Sequence, residues 1–333
     1  NRSYNYKWEN IVTYNFNIAK IHEFTLTGVS TWNHNQTDNT EMTGTGIANN
    51  KYLWEGLEKA AVQKNSSSYT MSKGVGLVGR INYSLLGRYL LSASIRRDGS
   101  SRLAKDHKWS NFPAVSLGWR ISDEKFMEST ASWLDFLKLR AGWGQNGNQR
   151  IDRDAPLTLI GTNNENQWYF GNGYSQGYVP TYVGNADIKW ETSQQTNVGL
   201  DMSFFKNRLA MTVDVYRKKT TDLLIEKNAA LATGYEKGWA NIGAVRNQGI
   251  EITLDATPIL TKKWNWTLNA NIGFNRSKVL DIGPGDEMGF DPGVIPGSGN
   301  FVMIRKNKSL GQWYGYKIDG VYASQHEINE QGD

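Results

Sequence analysis

The chain has no cysteine, and this absence excludes a disulfide framework, a thiolate metal site and a cysteine nucleophile. It has no apolar run near the roughly 18 residues that a membrane-spanning helix needs. Proline is scarce, with seven residues against 34 glycines, which suits β-structure and turns better than a Pro-rich linker. The net charge of +5 is scattered without a basic run, so the sequence indicates no nucleic-acid surface.

Signals for catalysis or metal binding are also scarce. The four histidines lie apart on turns or loops, without the spacing of a zinc motif: His22, His34, His107 and His326. Residues 97–101 (RDGSS) resemble turn chemistry at a strand end rather than an active site. The acidic loop residues match no calcium-loop spacing: Asp281, Asp286, Glu287 and Asp291. We therefore predict no catalytic residue, metal site or cofactor, and no enzyme.

The stretch from Met71 to Ile121 contains three runs in which apolar and polar residues alternate. The clearest run sets Val115, Leu117, Trp119 and Ile121 against Ala114, Ser116, Gly118 and Arg120. A period of two indicates a β-strand between two different environments. These runs exceed the ~5–6 residues of an ordinary strand and match the ~9–11 tilted residues that cross a bilayer. The pattern predicts a transmembrane β-barrel.

The same alternation recurs along the chain and ends with Trp264–Phe274, the most regular run. Short and long connections alternate between the runs, as in outer-membrane barrels with short periplasmic turns and long outer loops. We predict an all-β chain: about ten antiparallel strands of one barrel domain over residues 1–333, with periplasmic turns near 20, 87, 127, 207 and 261. The predicted extracellular loops cover about 35–70, 98–109, 146–189, 222–244 and 276–310. Thirteen Trp and sixteen Tyr fit the aromatic bands at membrane surfaces.

A soluble β-sandwich is the alternative fold. It would have shorter strands, similar loops at both ends and no aromatic bands. The two folds differ in whether the Trp264–Phe274 run packs against a second sheet.

Several motifs in order identify a family resemblance. Residues 96–102 read RRDGSSR and residues 109–120 read WSNFPAVSLGWR. Further matches follow at 136–140 (FLKLR), 144–148 (GQNGN), 190–192 (WET), 196–201 (TNVGLD), 216–224 (YRKKTTDLL), 247–251 (NQGIE) and 313–316 (WYGY). Together they resemble the SusC/RagA family of TonB-dependent outer-membrane transporters of Bacteroidetes.

That resemblance implies a 22-stranded barrel with a plug domain and a segment that binds TonB. This chain resembles the middle-to-late part of such a barrel, and no plug or TonB-contacting segment is recognisable in it. About ten strands leave two open edges, whose unpaired backbone groups each cost several kcal/mol in hydrocarbon. We expect these edges to pair with sequence outside residues 1–333.

The function that the resemblance implies is TonB-dependent import of a large nutrient, a glycan or a peptide. Its partners would be outer-membrane lipid, a SusD-like surface lipoprotein that covers the outer loops, and the TonB complex through a part of the protein absent here. The family also suggests a dimer of transporter–lipoprotein pairs. A passive porin, a structural barrel of a larger secretion or surface assembly, and a surface-binding protein without transport are the alternatives.

Two residue sets are the candidate sites. Charged residues on the polar strand face should look into a wet interior, where they dock a plug or line the solute path, with plug docking favoured: Arg80, Arg96, Arg120, Lys138, Arg140, Asp201, Asp214, Glu251 and Asp255. Aromatic residues of the outer loops should pack against one another, face the lid or contact substrate: Trp168, Tyr169, Phe170, Tyr174, Tyr178, Tyr182, Trp239, Trp313, Tyr314 and Tyr316.

Overall fold

The computed structural model describes residues 1–48, 51, 53–161, 167–171, 173–285, 287–290 and 302–315. The strands are β1 (Arg2–Ile18), β2 (His22–Thr45), β3 (Val62–Leu85), β4 (Tyr89–Ser100), β5 (Trp109–Arg120), β6 (Leu134–Asn148), β7 (Leu159–Gly161), β8 (Gln167–Tyr169), β9 (Tyr174–Gln176), β10 (Val179–Tyr182), β11 (Glu191–Phe204), β12 (Leu209–Thr221), β13 (Leu224–Asn228), β14 (Lys237–Asn241), β15 (Ala244–Leu260), β16 (Asn265–Asp281), β17 (Glu287–Phe290), β18 (Val302–Arg305) and β19 (Gln312–Trp313). Short 3₁₀ helices cover Leu53–Lys59, Lys105–His107, Ile121–Asp123, Lys125–Thr130 and Leu231–Thr233. In this part of the chain, no helix is long and apolar enough to cross a membrane.

Ten strands form one antiparallel sheet in the order β1-β2-β3-β4-β5-β6-β11-β12-β15-β16. Each strand therefore pairs with the next long strand in sequence, and the prediction of about ten strands in an uninterrupted meander is confirmed. The connections after β1, β3, β11 and β15 are three or four residues long and lie at one end of the sheet, which we call the short-turn end; the connection between β5 and β6, residues 121–133, lies there too. The connections after β2, β4, β6 and β12 lie at the opposite, long-loop end.

The turns between β1 and β2 and between β3 and β4 are the shortest connections of the large sheet, at three residues each. In the β3–β4 turn Leu86 and Gly87 both have positive φ, +55° and +67°, and Arg88 donates its backbone N–H to Leu85 O. Two successive positive-φ residues at the centre of a turn follow the right-handed twist of the strands that it joins. Leu86 donates its backbone N–H to Ile21 O at 2.8 Å, which ties this turn to the neighbouring β1–β2 turn.

The register separates two faces of the sheet. One row across adjacent strands consists of Leu91, Leu117, Ala141, Val198, Val215, Ile250 and Phe274. The row one residue away, on the other face, is Ser92, Ser116, Gly142, Asn197, Tyr216, Gly249 and Asn275. We call these the apolar face and the polar face.

The apolar face is uncovered in the part of the chain that the structure describes. On β16 and the residue before it, Trp264, Leu268 and Phe274 are 75%, 43% and 62% exposed. A sandwich would have buried these side chains between two sheets. The sandwich alternative is therefore wrong, and the transmembrane β-barrel fold is confirmed.

Several strands are longer than the sequence indicated. β1 begins at Arg2 rather than near Val12, and β2 pairs with β3 from His22↔Leu85 to Thr45↔Val62. Most of the predicted loop at 35–70 is therefore strand. Alternation marks a strand only where its two faces meet different surroundings. This Ser-, Thr- and Asn-rich ribbon has polar residues on both faces and carries no such signal.

Three other predicted loops also contain strands. β13, β14, β10 and β7 form a four-stranded sheet that joins the 146–189 and 222–244 connections. In the 276–310 region β16 continues to Asp281, and β17, β18 and β19 form a three-stranded sheet. The sequence between, at 291–301, lies outside the described residues.

Glu124 ties together the short-turn end beside β4 and β5. Its carboxylate accepts hydrogen bonds from the Tyr89 hydroxyl at 2.6 Å and from Trp119 Nε1 at 3.0 Å, and Arg88 Nη1 lies 3.3 Å away. These hydrogen bonds, Tyr89's first and then Trp119's, hold the pKa of Glu124 below its ordinary value of 4.5. The ionised carboxylate thus fixes two aromatic side chains at the sheet border.

The Glu124 contacts predict a pH-dependent stability. A lowered pKa means that the folded state binds this proton less readily, so the stabilisation is complete above pH 4.5 and is lost as the pH falls through the lowered pKa. We expect Glu124→Gln to lower the urea unfolding midpoint of the full-length protein at pH 7, with the difference from the parent shrinking below pH 4.5. Glu128→Gln, at an exposed position nearby, should shift the midpoint little at either pH, and an equal shift in both variants would contradict the assignment.

The two faces predict unequal responses to charge. Ile252→Lys places a cation on the apolar face near its middle, which should cost about 2–4 kcal/mol of unfolding free energy. Thr253→Lys places the same cation one residue away on the polar face and should change that free energy by less than about 1 kcal/mol. Urea titration of full-length protein folded into phosphatidylcholine vesicles measures both, and equal losses would refute the assignment of faces.

Candidate functional site

The polar face collects the nine charged residues that the sequence singled out. Strand register puts them on the same side of the sheet: Arg80, Arg96, Arg120, Lys138, Arg140, Asp201, Asp214, Glu251 and Asp255. The pairing rows make this common side certain even where the side chains do not touch. The structure brings only three of the nine into mutual contact.

Arg140 joins the carboxylates of two neighbouring strands. Its Nε and Nη2 donate to the two oxygens of Asp201 at 2.8 and 2.9 Å, and Nη2 also donates to Asp214 at 3.1 Å. Asp201 lies on β11 and Asp214 on β12, so one guanidinium spans three strands. The three side chains are between 26% and 29% exposed, which leaves the cluster partly screened by solvent.

Gly199 leaves the space that this cluster occupies. It lies directly opposite both Arg140 and Asp214 in the register. A Cβ at this position would come within 2.6 Å of Arg140 Nη2 and closer still to Asp214 Oδ1. Any larger residue here would push the guanidinium away from its carboxylates.

The other six charged residues lie outside this cluster. Arg96 pairs with Asp98 on its own strand at 2.6 Å, Arg120 pairs with Asp123 at the short-turn end at 3.0 Å, and Asp255 accepts a hydrogen bond from Asn269. In the described part of the chain, no ion pair forms at Arg80, Lys138 or Glu251. These three charges face open space and are available to a partner.

A polar cavity of about 580 Å³ lies on this face towards the long-loop end. Arg80 and Arg96 line it together with several amide residues of the same face and the loop that follows: Asn33, Asn146, Asn148 and Gln149. Phe112 and Trp190 form its apolar side, with ring centroids 5.5 Å apart in an edge-to-face arrangement. Amides offer both donors and acceptors, so this cavity can bind neutral polar groups as well as anions.

Above the cavity, the long connections share a hydrophobic core. Its buried members are Leu103, Ala104, Phe112, Ile151, Ala155, Ile188 and Trp190. Arg102 helps close this core, because its Nη1 donates to Ile151 O at 3.0 Å. Sequence reasoning missed these residues, since isolated apolar residues in irregular loops have no period to detect. The RRDGSSR motif therefore has a structural role at this end of the sheet.

Two of the predicted loop aromatics belong to this packed region rather than to a surface. Tyr182 is only 9% exposed because β10 pairs with both β7 and β14, and Trp239 packs against the core and donates to Asp152 Oδ2 at 3.3 Å. Of the three roles expected for the loop aromatics, Tyr182 therefore fits packing within the loops rather than contact with a lid or substrate. Burial, with the negative charges of Glu226 and Asp152, raises the pKa of Tyr182 to about 12.

The remaining described aromatics are exposed. Trp168, Tyr169, Phe170, Tyr174 and Tyr178 are between 64% and 74% exposed around the β8–β9 hairpin. Trp313 and Tyr314 are 81% and 51% exposed, and Arg305 lies 5.1 Å from the Tyr314 ring. Tyr316 lies outside the described residues. The exposed rings can contact a flat apolar ligand surface or another protein.

Metal ligation has no support in the parts of the chain that the structure describes. No group of three or more His, Asp or Glu side chains there could hold an ion. Asp286 and Asp291 of the acidic loop lie outside the described residues.

Comparison with known proteins gives a consistent result. The family model described as "TonB dependent receptor-like, beta-barrel" matches residues 1–317. TonB-dependent receptor P39 of Formosa agariphila is 36% identical over 312 residues, covering 87% of this chain and 28% of that protein. TonB-dependent receptor SusC of Bacteroides thetaiotaomicron is 36% identical over 278 residues, covering 82% of this chain and 27% of its own length. The chain thus spans less than a third of these two relatives.

Solved structures share the fold. The RagAB peptide transporter matches with a TM-score of 0.81 and 23% identity, covering 93% of this chain and 33% of that one. The Escherichia coli outer membrane transporter YddB matches with a TM-score of 0.54 and 13% identity over 83% of this chain and 33% of that one. At these identities the likeness concerns the fold alone.

The Arg140 cluster predicts a local stability effect. Arg140→Gln leaves Asp201 and Asp214 adjacent without a cation, and we expect the unfolding free energy to fall by roughly 2 kcal/mol. Lys218→Gln removes a cation that lies on the same face, on β12, and has no ion pair among the described residues, and it should cost less than about 0.5 kcal/mol. Urea midpoints of the full-length protein in detergent measure both, and similar values for the two variants would rule out a stabilising role for the cluster.

Proposed function

The chain belongs to the TonB-dependent receptor-like β-barrel family, and on that premise we propose that it forms part of the wall of an importer for a large nutrient. It is an outer-membrane protein, and the apolar face is the one that contacts lipid. The cargo in this proposal is a glycan or a peptide. Because the chain spans less than a third of its relatives, transport itself would be a property of the whole protein.

The observation that carries the proposal is the separation of charge across one sheet. Nine charged side chains share the polar face, whereas a single cation near the bilayer midplane on the other face would cost about 2–4 kcal/mol. A polar face of this kind calls for an aqueous interior. Arg80, Lys138 and Glu251 then offer unpaired charges to a plug inside the barrel, which is the role that we assign to them.

Exposed aromatic side chains at the long-loop end favour a partner protein that covers this end. The exposed rings of β8–β9 and of Trp313–Tyr314 stand at this end of the sheet. Exposed aromatic rings are typical of protein interfaces. We assign them to a SusD-like lipoprotein lid, with direct contact to cargo as their second role. Dimers of the transporter–lipoprotein pair belong to the same proposal.

The proposal includes two further partners, the remaining strands of the barrel and the TonB complex. The outermost strands of the ten-stranded sheet are β1 and β16, and their free backbone groups would need strands from elsewhere in the barrel. Energy would come from the TonB complex through another part of the protein. A passive porin or a structural barrel would share the same wall but would need no energy.

Uptake measurements separate these functions. Cells that carry the full-length protein should import labelled oligosaccharide or peptide, and deletion of the gene should abolish growth on that nutrient. Collapse of the proton motive force should stop uptake by an energised importer and leave a porin unaffected. Unchanged growth after deletion, or uptake that persists without the proton motive force, would refute the proposal.

Removal of exposed loop aromatics should lower uptake or affinity for the lid. Trp168→Ala combined with Tyr169→Ala removes two exposed rings and should lower uptake or lid affinity by roughly fivefold to tenfold, as expected for about 1–1.4 kcal/mol of contact. Phe126→Ala is the matched control, because Phe126 is 65% exposed but lies at the short-turn end. Both quantities are measured on full-length protein with and without its lipoprotein, and equal effects of the two variants would contradict the assignment.

A further inference from the structure

A group of basic side chains lies on the outward, lipid-contacting side of the sheet. The group, which we call the basic rim, lies at the long-loop ends of β12, β15 and β16: Arg217, Lys219, Arg246, Arg276 and Lys278. Register rows give its position. Val215, Ile250 and Phe274 form one row, Arg217, Gln248 and Arg276 form the next, and Lys219, Arg246 and Lys278 form the one beyond. The apolar face therefore ends at a sharp boundary, and the rim begins directly above it.

The rim is electrostatically unfavourable on its own. Lys219, Arg246 and Lys278 are directly opposite one another on three adjacent strands, and like charges in such positions repel. None of the five forms an ion pair within the described parts of the chain. Arg246 Nε is shielded from solvent and has no hydrogen-bond partner there. An anion bound between these side chains would relieve the repulsion.

Carboxylates of the same strands do not neutralise the rim. Asp214, Glu251 and Asp255 lie on the polar face, on the opposite side of the sheet. Asp281, the last residue of β16, pairs with Ala244 and so lies on the side of the rim, but it forms no ion pair with any of the five rim residues. Within the described part of the chain the rim is therefore left without a bound counter-charge, and an anionic group on the lipid side would supply one.

The surface next to the rim suits an amphiphile. A shallow groove of about 660 Å³ is lined by Val198, Val215, Ile250 and Phe274 below and by Arg217 and Arg276 above. The four apolar side chains are 43–62% exposed. An acyl chain would lie on the apolar residues, and a charged headgroup would lie at the level of the guanidinium groups.

We infer that the basic rim binds the phosphorylated headgroup of a glycolipid in the outer leaflet of the membrane. Long loops mark the outer side of such barrels, so the rim lies at the level of the outer headgroups. Arginine binds phosphate through paired N–H donors, and neighbouring strands about 4.8 Å apart spread the five cations over roughly 10 Å. That span accommodates one headgroup with two phosphates. The inference depends on the membrane location and is independent of transport.

The experiment uses full-length protein in phosphatidylcholine nanodiscs supplemented with diphosphorylated lipid A or with its dephosphorylated form. Bound lipid A is counted by native mass spectrometry after detergent release. The parent protein should retain the diphosphorylated form selectively. Lys219→Gln with Lys278→Gln should weaken retention roughly thirtyfold, since each lysine at an anionic surface contributes about a fivefold effect.

Matched variants make the result decisive. Lys262→Gln with Lys263→Gln removes two lysines from the short turn that joins β15 and β16, and it should leave retention unchanged. Lys219→Arg with Lys278→Arg keeps both charges and should retain the lipid. Equal losses at the two ends of the hairpin, or equal retention of the two forms of lipid A by the parent, would overturn the inference. If the double Gln variant fails to fold, Arg217→Gln with Arg276→Gln tests the same prediction.

Discussion

Backbone hydrogen bonding is the constraint on which this structure depends. In hydrocarbon an unpaired N–H or C=O costs several kcal/mol, so a single-layer sheet is tolerated only where each strand pairs on both sides. Ten strands in sequence order satisfy that requirement along the middle of the sheet, except on the outer sides of β1 and β16. With the backbone paired, the side chains are left to match lipid on one side and water on the other. The two faces follow directly from the period of two.

The usual hydrophobic core is accordingly missing from the sheet and is displaced to its long-loop end. There the connections bury Leu103, Ile151 and Ile188 beside Phe112 and Trp190. This core packs the long connections against one another. The polar cavity depends on it, since Phe112 and Trp190 belong both to this core and to the lining of the cavity. On the polar face, Arg140 plays the corresponding role by tying three strands through two carboxylates.

Sequence reasoning found the fold where it had a physical signal and failed where that signal was absent. Alternation located all ten long strands because lipid and water demand different residues at successive positions. It missed the ends of β2 and β3, where both faces are polar, and the end of β16, where Arg276 and Lys278 occupy the positions of apolar residues and were treated as loop. It also grouped Tyr182 with exposed aromatics, because burial through strand pairing with distant residues 159–161 and 237 leaves no local mark. The shared face of the nine charged residues was predictable from parity, but the contact among Arg140, Asp201 and Asp214 needed the register.

The long β2–β3 ribbon has a consequence for the outline of the sheet. Beyond Trp32, β2 continues for 13 residues to Thr45, fully paired with β3, which corresponds to about 40 Å along the strand axis. β3 pairs with β4 no further than Gly74↔Ser100, and β2 pairs with β1 no further than Asp38, so beyond Asp38 the two strands project past both neighbours as a hairpin arm. Because these two strands pair only with each other there, this arm can bend at its base without breaking any other strand pair.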